Sequence, residues 1–160
     1  FIFIFIPNIL FAGSMKAIGV KGNEQNVDRV IKVLMYDNYY QPNSFRIKNN
    51  ETIKFEVENK GELVHEFNIA TKEMHLKHQS EMMMMAENEI LLVDKIDKKK
   101  MMEMSKKNPA MAHSHSNSVL LSPGEKAEII WKFNNTVDIE AACNVPGHYD
   151  AGMIAKIDNI

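Results

Sequence analysis

Apolar residues recur at every second position through most of this chain, and that rhythm restricts it to sheet. Ile53, Phe55 and Val57 alternate with Lys54 and Glu56, and Leu63, His65, Phe67 and Ile69 share one face of the next segment. Ala127, Ile129, Trp131 and Phe133 repeat the pattern, as do Val137, Ile139, Ala141 and Cys143, and then Met153, Ala155 and Ile157. Successive side chains of a strand point to opposite faces, so each series marks one buried face. Turn signals such as Glu58-Asn-Lys-Gly61 and Ser122-Pro-Gly124 separate the segments. With further strands near Val30–Met35 and Ser44–Lys48, the pattern predicts seven or eight short strands: an all-β, Greek-key sandwich or barrel.

Two stretches break the rhythm. Residues 1–11 are almost wholly apolar, too short to span a bilayer, and followed by Ala12-Gly13-Ser14. They read as the hydrophobic part of a secretory signal with a small-residue cleavage site, or else as an N-terminal core strand. The unbroken bulky run would suit only a strand buried on both faces, which favours the signal over residues 1–14 and an exported, periplasmic protein starting near Met15. The second stretch, 72–116, holds nine of the 12 methionines and four of the six histidines. Its Met, Glu, Lys and Leu content predicts helix, ended near Asn108-Pro109. Without it and the leader, about 100 residues remain, enough for one small sandwich, so residues 15–160 read as a single domain interrupted by an insertion. Excising the insertion is expected to leave the rest standing, because loop length alone costs little.

Composition removes some functions. Nineteen basic against 21 acidic residues leave a net charge of −2, too little positive charge for a nucleic-acid binder. One cysteine allows no internal disulfide and no Cys-only zinc site.

That cysteine opens the run Cys143-Asn-Val-Pro-Gly-His148-Tyr-Asp-Ala-Gly-Met153. A thiolate, an imidazole and a thioether thus share one predicted inter-strand loop, in which Pro146 limits backbone freedom and Gly147 permits a tight bend. His65, in register with the inward series of its own strand, offers a second imidazole; alone it would read as a core histidine bonded to a carbonyl. Two imidazoles, a thiolate and a weak axial thioether are the donor set of a mononuclear blue-copper site.

In these motifs, Gly61-Glu-Leu-Val-His65-Glu-Phe67 and Cys143-x4-His148-x4-Met153, the chain resembles the cupredoxins, type 1 blue copper proteins. The ligand-loop spacing is similar to that of rusticyanin and auracyanin. The whole loop, with the Met-rich insertion, is most similar to the periplasmic cupredoxins of bacterial copper tolerance. The resemblance implies an eight-stranded Greek-key fold, copper cycling between Cu(I) and Cu(II), and His65, Cys143, His148 and Met153 as its ligands. Many cupredoxins carry Asn or Ser after the first histidine; this chain has Glu66.

The insertion offers a second candidate copper site among Met74, His75, His78, Met82, Met85, Met101, Met104, Met111, His113 and His115, since thioether and imidazole suit Cu(I). On a helix Met74, His78 and Met82 would share one face, Met101 and Met104 would pair, and His113-Ser-His115 would form a pincer. The same methionines would also serve as ordinary packing. The expected function is copper handling or tolerance, with soluble electron transfer to a partner such as a cytochrome or copper oxidase as the alternative. Enzymatic turnover is not expected, because four protein ligands leave no good open position for substrate.

Overall fold

In the computed structural model, residues 17–134 and 136–160 are described, so the predicted leader and its cleavage site lie outside the described residues. Two five-stranded sheets face each other. The first has the order β1 (Gly19–Lys21), β8 (Lys126–Phe133), β5 (Thr52–Asn59), β2 (Arg29–Tyr36), β3 (Tyr39–Gln41). The second runs β4 (Ser44–Ile47), β10 (Ile154–Asn159), β9 (Glu140–Ala142), β6 (His65–Ala70), β7 (Ser118–Leu121). The β2–β5 and β4–β10 pairs are parallel and the other pairs antiparallel, which requires connections that cross between sheets. The fold is mostly a β-sandwich.

Alternation works where one face meets solvent. In β8 the inward set Ile129, Trp131 and Phe133 is buried while Lys126, Glu128 and Lys132 are exposed. Phe45, Phe55, Phe67 and Phe133 meet between the sheets in edge-on or tilted pairs with centroids 5.3 to 6.1 Å apart. Trp131 is buried and its indole N–H donates to the Ile18 carbonyl.

Ten strands are present among the described residues where seven or eight were expected. The additional ones, β1, β3 and β7, are three or four residues long, too short to show a period. The segment read as a strand over 137–143 pairs only at Glu140–Ala142, and Leu63 lies in the loop before β6.

β6 departs from alternation altogether: all six of its residues are buried. Its outer face is covered by the insertion. Helix α1 (Lys72–Glu87) starts where the Thr71 hydroxyl accepts from the Met74 N–H, and helix α2 (Lys98–Ser105) where Asp97 accepts from the Lys100 N–H. A short 3-10 turn (Pro109–Ala112) follows, with Asn108 capping it and proline in its first turn. Met82, Met85 and Met111 are buried with Val64, Ile90, Leu91 and Ile96 in a second apolar core. The insertion is therefore a third layer laid on β6, and excising it would uncover Val64 and the polar groups on the outer face of that strand. The expectation that it can be cut out at little cost does not hold for this packing.

Candidate metal centre

Three adjacent strands bring the predicted ligands together. β9 lies between β6 and β10, so Cys143, just past the end of β9, sits beside His65 at the start of β6, and the 143–153 loop returns the chain into β10. The loop is held by its own backbone: Cys143 N–H donates to the Met153 carbonyl, Met153 N–H to the His148 carbonyl, and His148 N–H to the Val145 carbonyl. Gly147, with φ +85, makes the left-handed bend.

Cys143 Sγ lies 4.0 Å from His65 Nδ1 and 3.4 Å from His148 Nδ1, and the two imidazole centroids are 5.0 Å apart. With metal–sulfur and metal–nitrogen bonds of about 2.3 and 2.0–2.1 Å, an ion between such donors would set sulfur and nitrogen about 3.6–3.8 Å apart. The observed pair straddles that value, so the thiol and both imidazoles fit one ion. Met153 is fully buried in the same apolar cluster as Cys143, and His148 is partly exposed. A copper ion held here would supply one-electron chemistry, for which these residues would provide the donors and the surroundings.

Those surroundings act on each ligand. His65 Nε2 is 2.8 Å from Asp37 Oδ1, which fixes the ring so that Nδ1 faces the sulfur. Asp37 sits in the turn between β2 and β3 and also accepts from the Glu62 and Leu63 N–H groups. Burial would raise its carboxyl, but the His65 bond and these amides bring it below the ordinary value. Gly61 makes the approach sterically feasible: a Cβ there would overlap Asp37 and stand 3.0 Å from His65 Nε2. Burial lowers both His65 and His148, against the pull of Asp37, keeping the imidazoles neutral and able to ligate. Burial pushes the Cys143 thiol up to about 12 despite the Glu66 N–H donating to Sγ at 3.3 Å. Without an ion the sulfur holds its proton.

Glu66 is fully buried. Its Oε2 accepts from the backbone and side-chain N–H groups of Asn144, and its Oε1 faces Ser118, Asn68, His78 and His113. Burial would raise it, yet the histidine hydrogen bonds hold it well below the ordinary carboxylate value. Glu66 thus fixes the residue after Cys143 by its side chain and bonds the sulfur by its backbone.

A profile described as a cupredoxin-like domain matches residues 3–98. This chain belongs to the cupredoxin-like family. The copper-resistant cuproprotein CopI of Pseudomonas aeruginosa is 34% identical over 167 residues, covering 96% of this chain and 92% of that protein. CopI of Rubrivivax gelatinosus is 28% identical, covering 87% and 71%. Among solved structures, auracyanin B superposes with a TM-score of 0.61 at 15% identity over 89% of this cupredoxin and 96% of that chain. The reduced auracyanin of Roseiflexus castenholzii gives 0.57 at 15% identity, covering 84% and 98%. At that identity the likeness is one of fold.

The candidate residues of the insertion divide into two groups. Met82, Met85 and Met111 are buried in the second core, Met101 and Met104 pack against it, and Met74 packs against the main core. His75 is buried, with Nδ1 3.1 Å from Asn144 Nδ2 and Nε2 3.4 Å from the Glu140 carbonyl. His78, His113 and His115 instead converge, joined by Glu81. The sequence gives no sign of Glu81, and marks Glu66 only as a departure from the Asn or Ser of many cupredoxins. Glu66 alternates with an inward histidine and reads as outward, and only the covering layer buries it.

Proposed function

We propose that this cupredoxin holds a single type 1 copper ion between His65, Cys143 and His148, with Met153 as the weak axial ligand, and serves copper handling and tolerance in the periplasm. The observation that carries the reading is the convergence of one thiol and two imidazoles on a common point, with the third side of each ligand already fixed by Asp37, Glu66 or the loop backbone. Similarity to CopI proteins over nearly the whole chain supports the tolerance role. Among the described residues no helix is long and apolar enough to cross a membrane. The four ligands fill the ion's coordination, so the site binds and changes oxidation state rather than turning over a substrate. Any cuprous oxidation at this centre is a one-electron event that hands its electron to an acceptor.

Electron transfer as the main role is the second reading. The partly exposed edge of His148 favours it, because it offers a short route from a buried centre to a docked redox protein. The two roles separate in cells. Deleting the gene and complementing with Cys143→Ser should leave copper sensitivity uncorrected if handling is the role; full restoration of copper tolerance by that variant would overturn it.

A further inference from the structure

On the outer face of β6, away from Cys143, three imidazoles stand in a near-regular triangle. The ring centroids of His78 and His113 are 5.2 Å apart, those of His78 and His115 5.1 Å, and those of His113 and His115 5.1 Å. Three imidazoles bound at about 2.0–2.1 Å to one ion at tetrahedral angles would put their centroids about 5.2 Å apart and their nitrogens about 3.3 Å apart. His78 Nε2 and His113 Nε2 are 3.2 Å apart. One donor atom from each of His78, Glu81, His113 and His115 lies within 4.8 Å of every other.

Hydrogen bonding alone accounts poorly for this arrangement. Glu66 Oε1 has Ser118 Oγ at 2.6 Å, His113 Nε2 at 2.9 Å, His78 Nε2 at 3.0 Å and Asn68 Nδ2 at 3.1 Å. A carboxylate offers about four lone-pair sites over both oxygens, and Asn144 already takes Oε2 twice. Ser118 and Asn68 already donate to Oε1, so a proton on either Nε2 aimed there as well would exceed the two lone pairs of that oxygen. A cation between the two Nε2 atoms and Oε1 removes the excess, because the rings then present lone pairs to the ion instead of protons to the oxygen. Glu81 closes the other side, with Oε1 2.9 Å from His115 Nε2 and Oε2 3.4 Å from His78 Nδ1.

We propose that His78, His113 and His115, with the carboxylates of Glu81 and Glu66, form a second metal site that takes Cu(II). The proposal goes beyond the type 1 reading and does not depend on Cys143. The donors are nitrogen and carboxylate oxygen, which suit a divalent ion, and the order of affinities among first-row divalent ions puts copper above zinc. The buried methionines of the insertion lie in the second core, so this is not the soft, thioether-rich Cu(I) site expected from composition. The site is reachable: a cavity of about 560 Å³, bordered by Met74, His78, Glu81, His115 and Asn117, opens on it. Glu66 is common to both centres, with its carboxylate at the second and its N–H on Cys143 Sγ.

The test is titration of the metal-free full-length protein with Cu(II), followed by visible and electron-spin spectra and metal analysis. Two equivalents should bind, and the second should give an axial spin signal without a new intense visible band. His115→Ala and Glu81→Gln, both at the cavity rim, should each weaken the second equivalent at least tenfold while far-ultraviolet dichroism stays native. Undiminished second-equivalent binding in both variants, or a single equivalent that carries the intense band in the unaltered protein, would overturn the site. Retention of Zn(II) against equimolar Cu(II) would overturn its assignment to copper. Failure of the Cys143 centre would show instead as no intense band at any loading.

Discussion

The buried methionines of the insertion are packing residues, and replacing Met82 or Met85 separates that role from copper ligation. Both are fully buried in a cluster with Val64, Ile90, Leu91, Ile96 and Met111. Truncation to alanine deletes Cγ, Sδ and Cε, a transfer loss of about 2.4 kcal/mol at roughly 0.8 kcal/mol per methylene-sized group. The cavity left behind adds on the order of 1–2 kcal/mol, since α1 is fixed to β6 by His78 and cannot freely collapse inward. Met82→Ala and Met85→Ala should therefore each cost about 3.5–4.5 kcal/mol. Leucine fills nearly the same volume without a donor sulfur, so Met82→Leu and Met85→Leu should cost less than about 1.5 kcal/mol. Urea unfolding of the metal-free protein reads both, with an unchanged slope showing that the same surface is exposed on unfolding. Cu(I) competition against a chromophoric chelator should give the same stoichiometry for the leucine variants as for the unaltered protein. Leucine variants that keep their stability but lose a Cu(I) equivalent would refute the packing assignment, as would alanine variants costing under about 1 kcal/mol.

Other perturbations address the type 1 centre and its supports. Asp37→Asn should weaken copper binding by about 10–100-fold while the intense band survives, measured by chelator competition, because the substitution loosens His65 without removing a donor. Gly61→Ala should lower stability by about 1–3 kcal/mol in thermal unfolding, since its Cβ would enter the space that Asp37 and His65 share. Copper loading should release about one proton per type 1 ion throughout pH 7–9, because burial holds the Cys143 thiol up near 12 while both imidazoles, lowered by burial, are already neutral. Calorimetry in buffers of different ionisation enthalpy reads this, and release vanishing by pH 8 would show that the free thiol is already ionised there.

Much of this was legible in sequence because it is local. The alternation at Ile53, Phe55 and Val57 and at Ile129, Trp131 and Phe133 marks faces directly, and three donors within eleven residues mark a ligand loop. His65 could be placed by register alone. Asp37 could not: it lies 28 residues away in a turn with no periodicity, and only the packing of the β2–β3 turn against the β5–β6 connection brings it to Nε2. Glu66 defeats alternation because a third layer covers β6. In the insertion, helical spacing grouped Met74, His78 and Met82, but α1 lies over two cores and a polar seam, so its neighbours in sequence divide among three environments. His78 and His113, 35 residues apart, meet only through that packing.

The copper reading stands on Cys143 binding the ion as a thiolate between His65 and His148. The most direct test compares the visible spectrum of the Cu(II)-loaded protein with that of Cys143→Ser at equal loading, with Met153→Gln alongside. An intense thiolate-to-copper band is expected in the unaltered protein, with its loss in Cys143→Ser and copper retained at a shifted reduction potential in Met153→Gln, since the axial thioether tunes rather than anchors. The same intense band in Cys143→Ser would contradict this reading.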